Sequence, residues 1–500
     1  MFVQSHESST LTLESEELIK TGQDLFYNFP NDSRVDSEAR VQTIYQSYDK
    51  GPTAADIESS QYSSTNINCY GFILEANARH SDEKIQDESV RITRWTKILN
   101  NWEKFLKKDK KFVYRCVLRG IPNCLRGQAW KKLLSVDKKM DENVGVYQRL
   151  VRMARSTSKD AIQIDKDVER TNRSHVLFNV RYSIKQRELF YLLLAYSVYD
   201  VKVRYCQGMN ELASVLLMFL SEEETFWALT ILTCDEIHNI HGFFSEGFPK
   251  VRLFEDHLIK ILETHMPQLM EHFNRIGYEI RIITTRWFIL FYINCIPFSM
   301  LLRIFDRFML EGCIILYPIA YTILKYHKKT LMRLSIDEVS EFFKTMDRYP
   351  FDVPLFFKKL DKNISFLTSL KLYPIPGVAH SVIDIDVQSI LAEDPQSKVD
   401  SIETFDTSFK GSLQRGAFLS NDGKMTEQTQ QASMLSDALP LFDPVAITPP
   451  YPQQSWAEFT YAHRDEILDE VESYEVSDKF IEFEKLSQII SDIYKSSQIN

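Results

Sequence analysis

Apolar side chains recur every three or four residues, with little interruption, from Ile92 to about residue 346. That period lines one face of an α-helix and cannot line one face of a strand. Ile92, Trp95, Ile98, Leu99, Trp102 and Phe105 open the series; Leu189, Leu192, Leu193 and Tyr196 follow i, i+3, i+4, i+7; Leu212, Val215, Leu216 and Phe219 repeat the template. Similar runs continue through 224–234, 251–265, 281–296, 299–310, 314–327 and 336–346. Gly (15) and Pro (17) are few for 500 residues, against roughly 7% and 5% in average usage. Little turn chemistry is therefore left for a hairpin protein. The expected fold is all-α, with one large helical domain over 91–373.

The flanks differ in composition. Residues 1–90 carry 6 basic and 16 acidic residues, 91–373 carry 45 and 31, and 374–500 carry 8 and 22. A basic block thus sits between two acidic arms, an asymmetry that bears on partners rather than on fold. Residues 1–65 are rich in Ser, Thr, Asp and Glu without periodicity, and are expected to be a disordered arm. Within a short lead-in over 66–90, CYGFILE (69–75) is an apolar island expected to dock on the core. Residues 374–455 read as a linker. In the acidic tail, 456–500, Ile481, Leu486, Ile489, Ile490 and Ile493 fall at helical spacing. That tail is the expected place for an adaptor to bind. Neither arm holds a candidate catalytic residue, so both are expected to be dispensable for catalysis.

Several function classes are disfavoured. The seven cysteines are dispersed without a CxxC, as expected of a reducing compartment rather than a disulfide framework. The first residues have neither a basic nor an apolar signal-peptide region. The apolar stretch Trp287–Leu302 is short and interrupted by Asn294 and Pro297, so no transmembrane segment is expected. Nucleic-acid binding is not expected, because the densest basic cluster, KKDKK at 107–111, lacks stacking aromatics. GFFSEGF (242–248) has Phe248 where a phosphate loop needs Lys, and His463-Arg464-Asp465 lacks the rest of a kinase signature. Cys234, His238 and His241 have ligand spacing but no fourth donor nearby, so no metal site is expected.

Two short stretches carry more information: QIDKDVERT (163–171) and YCQGMN (205–210). Taken alone, Asp167 and Arg170 form an i, i+3 pair on a helix, and Gln207 precedes a turn at Gly208. Around them lie RGIPNCLRGQAW (119–130), RWFILFYINCIPF (286–298) and LRIFDRFMLEG (302–312). In this order the set resembles the TBC domain of Rab GTPase-activating proteins. The matching positions are Arg119–Pro122, Arg126 and Trp130; Ile164, Asp167 and Arg170; Tyr205, Gln207, Gly208 and Met209; Trp287; Asp306 and Gly312. His175, KQRELF, AYSVY, HGFFSEGFPK, YTILKYHKK and NCYGFI (68–73) further resemble the RN-tre branch of that family. Lys166 and Asn172 depart from the branch pattern, where Leu and Phe are usual.

The resemblance implies a two-lobed helical domain that is not itself the GTP-hydrolysing enzyme. It implies an activator of Rab-family small GTPases in the GTP-bound state. Arg170 is then an arginine finger and Gln207 a glutamine finger, both supplied in trans, with Asp167, Tyr205, Gly208, Arg119 and Arg126 in supporting roles. No cofactor of its own is implied; GTP and magnesium belong to the partner. The branch implies vesicle traffic, with a cytoplasmic protein recruited to the cytosolic face of endosomal or Golgi membranes. The alternative is a catalytically inactive TBC scaffold that binds a GTPase or another trafficking partner.

Overall fold

A computed structural model describes residues 34–59, 67–73, 86–234, 236–375 and 378. The linker from 379, the acidic tail and the His463 motif lie outside the described residues. So do residues 1–33.

Helix Ile184–Tyr199 forms the centre of the first group of helices. Leu189, Leu192, Leu193 and Tyr196 are all fully buried, as their spacing predicts. This helix packs against Val146–Thr157, Ala161–Arg170, Met209–Leu217 and Glu222–Cys234. In a second group, Leu316–Leu331 packs against Pro249–His265, Arg281–Ile289 and Val353–Ser369. Pro249 and Pro267 stand in the first turns of their helices, where no intrahelical N–H is lost. Ser335 and Glu338 close a capping box on Ile336–Lys344. Helix Phe298–Glu311 packs on Lys110–Leu118 and Arg126–Leu134 and continues through a 3-10 turn into Leu316–Leu331. Among the described residues no strand forms, only the isolated bridges Ile67–Ile73 and Phe72–His175. The fold is all-α.

Among the described residues the apolar stretch of membrane-spanning length is Phe298–Leu331, further along the chain than Trp287–Leu302. By length and composition it is apolar enough to cross a membrane, but 94% of its most apolar window is buried inside the domain. It is a core element of the helical domain.

Asp306 organises the join between the helices. It is fully buried and accepts from Arg126 Nε (3.0 Å), Trp130 Nε1 (3.0 Å) and the Ile121 backbone N–H (2.8 Å). Arg126 also donates to the Ile121 carbonyl (2.6 Å) and to Asn123. The Arg126 guanidinium, given a supporting role in the sequence reading, is engaged in this buried pair. Arg119 is the C-terminal cap of Lys110–Leu118. Asp306→Ala would leave the Arg126 charge buried without its partner, a loss of about 3–5 kcal/mol. Urea unfolding should show a midpoint lowered accordingly; an unchanged midpoint would reject the role.

The N-terminal expectation needs correction over 34–59. Arg34–Lys50 and Ala54–Ser59 are helices, and Ile44, Tyr45 and Tyr48 are buried in the core. Three apolar side chains at i, i+1 and i+4 suffice to seat a polar helix, although they are too few to register as a periodic run. The described part of the lead-in, residues 67–73, packs on the helical domain. Ile73 N–H donates to Ser174 O (2.8 Å), Val176 N–H to Gly71 O (3.0 Å), and Phe72 meets His175 and Phe298 edge to face. Gly71 has φ +90°, and a Cβ there would lie 2.6 Å from His175 Nε2, so only glycine fits.

Candidate functional site

Helix Ala161–Arg170 forms because Ala161, Ile164, Asp167 and Val168 fall on one buried face. Arg170 is its last residue, and its side chain is 58% exposed, whereas Asp167 is 1% exposed. Arg170 donates to Asp167 Oδ1 through Nε (3.0 Å) and Nη2 (2.6 Å). Asp167 Oδ2 accepts from Tyr205 OH (2.8 Å) and Gln163 Nε2 (2.9 Å). A buried carboxylate with four donated hydrogen bonds is a satisfied acceptor. It therefore fixes the exposed guanidinium from below while the outer N–H groups face outward. Burial, together with the nearby Asp167 charge, pushes the Tyr205 phenol well above its ordinary range. Tyr205 stays a proton donor.

Two further contacts tie this helix end to the next functional loop. Asn210 Nδ2 donates to Thr171 Oγ1 (2.8 Å), and Asn172 Nδ2 donates to Ser214 Oγ (2.7 Å). Asn210 Oδ1 accepts the Gly208 N–H (2.9 Å), the amide of the peptide bond that follows Gln207. Gly208 has φ +105° and a virtual Cβ only 3.2 Å from Ile289, so the turn that presents Gln207 requires glycine. Gln207 is half-buried, and its side-chain amide makes no hydrogen bond among the described residues. A continuous chain of contacts thus runs from the Arg170 guanidinium through Asp167, Tyr205 and Asn210 to the Gln207–Gly208 peptide.

The structure brings together Arg170, Asp167, Tyr205, Gln207 and Gly208; Arg126 pairs with Asp306, and Arg119 caps Lys110–Leu118. Asn172 occupies left-handed backbone at φ +45°, which Asn tolerates better than most residues. The sequence reading missed Gln163, Thr171, Asn210 and Ser214. A polar residue just past the start of a helix, as Asn210 is, was the available signal. Elsewhere, Cys234 is exposed, His238 bonds Met309 O (3.2 Å), and His241 bonds Ser245 (2.9 Å) and faces Asp200 (3.3 Å). Their partners diverge, and no metal-holding group of side chains occurs among the described residues.

Glu211 lies one turn beyond Gln207. Its Oε2 accepts from Asn294 Nδ2 (3.2 Å), and burial pushes its carboxyl up to about 7, opposed by the Arg170 charge. A carboxyl raised on folding favours the protonated form, so its contribution is full below about 4.5 and is lost as pH rises through about 7. Glu211→Gln is therefore expected to leave the melting temperature unchanged at pH 4 and to raise it at pH 8. Equal shifts at both pH values would refute the ionisation account.

Residues 123–332 match the family model of the Rab-GTPase-TBC domain. Over those residues the chain is similar to that domain. TBC1 domain family member 10A of Mus musculus is 31% identical over 295 residues, spanning 56% of this chain and 58% of that protein. The ecotropic viral integration site 5 protein homolog of Homo sapiens is 29% identical over 258 residues, spanning 52% of this chain and 31% of that protein. The chain therefore spans less than two thirds of each of these relatives. Among solved structures, a Chlamydomonas flagellar RabGAP TBC domain has 22% identity and a TM-score of 0.47, covering 59% of this chain and 98% of that one. The Ypt/Rab-GAP domain of Gyp1p has 18% identity and a TM-score of 0.46, covering 57% and 99%.

Proposed function

We propose that this protein accelerates GTP hydrolysis by a Rab-family GTPase, with Arg170 and Gln207 entering the partner's active site. The observation that carries this reading is the Arg170 side chain. It is an exposed guanidinium at a helix end, anchored to a buried carboxylate whose other oxygen is tied to the Gln207 loop. An arginine with no role beyond the surface would need no such foundation.

The chemistry belongs to the partner, which supplies the GTP and its magnesium. A water oxygen attacks the γ-phosphorus, the bond to the β-phosphate bridging oxygen breaks, and GDP and phosphate leave. Negative charge develops on the transferring group and the leaving oxygen. A planar guanidinium placed there adds fixed charge and paired donors, which an ammonium cannot reproduce. Such a finger contributes roughly 10³- to 10⁵-fold in rate, or about 4–7 kcal/mol of barrier. The Gln207 amide accepts one proton of the attacking water in a hydrogen bond and donates to a phosphate oxygen, orienting the attack. Asp167 and Tyr205 hold Arg170, and Gly208 gives the Gln207 turn its shape. The basic block over 91–373 favours encounter with an acidic GTPase face, mainly through the association rate. We place the protein at the cytosolic face of endosomal or Golgi membranes, recruited as a peripheral protein and reaching an adaptor through its acidic tail.

The test is a screen of the full chain against a panel of GTP-loaded Rabs. Acceleration of at least one Rab is expected. Binding without acceleration across the panel would select the scaffold reading instead.

A further inference from the structure

The helix Arg34–Lys50 does not simply cover core surface; its polar contacts converge on the helix that ends in Arg170. Tyr48 is fully buried and stacks on Phe190 with ring centroids 4.2 Å apart. Its hydroxyl accepts from Arg181 Nη1 (2.8 Å), and Arg181 Nη2 pairs with Asp165, with only 11% and 13% of the two side chains exposed. Asp165 lies on Ala161–Arg170, five residues before Arg170. Arg181 is further locked over the Tyr182 ring (4.1 Å) and toward Gln186 Oε1 (3.3 Å). At the next residue, Asp49 receives Arg155 Nη2 (2.6 Å) and Tyr191 OH (2.6 Å), pinning the helix to Val146–Thr157 and Ile184–Tyr199. The strap therefore engages the Arg170 helix through the largely buried Arg181–Asp165 pair and two of its neighbours through more exposed contacts of Asp49.

We propose that Tyr48 is a positioning residue for Arg170, acting through Arg181 and Asp165 to hold the angle at which the Arg170 helix meets its partner. The consequence for hydrolysis rests on the function proposed above; the mechanical coupling does not. The strap belongs to the catalytic unit although the family match begins at residue 123. Displacing it leaves the Asp167–Tyr205 contact in place but frees the helix that bears Asp167 and Arg170. Because a guanidinium finger acts only when it reaches the developing charge, small angular errors are felt in rate before they are felt in binding.

Hydrogen exchange on the full chain tests the coupling without any GTPase. Tyr48→Phe keeps the ring stack and removes the acceptor for Arg181; Tyr48→Ala removes both. Amides of residues 164–171 should exchange about ten-fold faster in Tyr48→Phe and faster still in Tyr48→Ala, with Leu316–Leu331 unchanged. With a Rab that the wild type accelerates, Tyr48→Phe should lower kcat roughly five-fold with KM held within about two-fold. Arg181→Lys, which keeps the charge but loses the fork, should fall between wild type and Tyr48→Phe in both measurements. Unchanged exchange over 164–171 in both Tyr48 variants would overturn the proposal. So would an equal rise in both helices, because that is general destabilisation. If the wild type accelerated no Rab, the proposed function would fail while the exchange data still decided the coupling.

Discussion

Replacing Arg170 by Ala is expected to lower the accelerated rate of GTP hydrolysis by at least roughly 10²-fold, the conservative side of the arginine-finger range. The loss should appear in kcat rather than in affinity for the GTP-bound ground state, because the interaction forms with charge that exists only in the transition state. Arg170→Lys should recover little. It keeps a positive charge but loses both the planar fork toward the phosphates and the paired donation to Asp167 Oδ1. The fold should survive both changes, since the Arg170 side chain is 58% exposed and buried Asp167 keeps its bonds from Tyr205 and Gln163. A wild-type circular dichroism spectrum would accompany the rate loss, with a lowered melting temperature in Arg170→Ala because buried Asp167 loses its cation. A variant that lost rate and structure together would leave the finger role unsupported.

The second large effect is expected at Gln207. Gln207→Ala removes the amide that orients the attacking water and should cost on the order of 10²-fold in kcat, by lowering the share of complexes poised for attack. Its turn is held by Gly208 and by Asn210 rather than by the glutamine side chain, so the loop should keep its shape. Gln207→Glu should fail as well, since a carboxylate offers no donor and brings negative charge toward phosphate oxygens. The double variant Arg170→Ala, Gln207→Ala should lose far less than the product of the single losses, because both groups act on one transition state. Fully multiplicative losses would indicate that the two residues serve separate steps.

The helical architecture was legible because packing and period agree. Leu189, Leu192, Leu193 and Tyr196 announce a buried helix, and the helix is buried. The Asp167–Arg170 pair was legible because the two residues are local, three positions apart on one helix. The connection from Asp167 to Tyr205 and on to Asn210 was only partly so: it joins residues 38 apart, and which tyrosine reaches which carboxylate is decided by packing. The partner of Arg126 was illegible for the same reason, since Asp306 lies 180 positions away. Residues 34–50 were missed because their seating depends on three side chains within a polar stretch. Their hydrogen-bonding partners Arg181, Arg155 and Tyr191 come from elsewhere in the chain. Local chemistry could be read ahead of the structure; long-range pairings of polar side chains could not.

The most direct test of the central claim is single-turnover GTP hydrolysis by a responsive Rab, at saturating concentrations of the wild-type chain and of Arg170→Ala. Saturation removes differences in binding, so the observed rate reports the chemical step. The account predicts a wild-type rate at least roughly 10²-fold above that with Arg170→Ala, which should approach the Rab's intrinsic rate. Equal rates with the two proteins would contradict it and leave the domain as a binding scaffold.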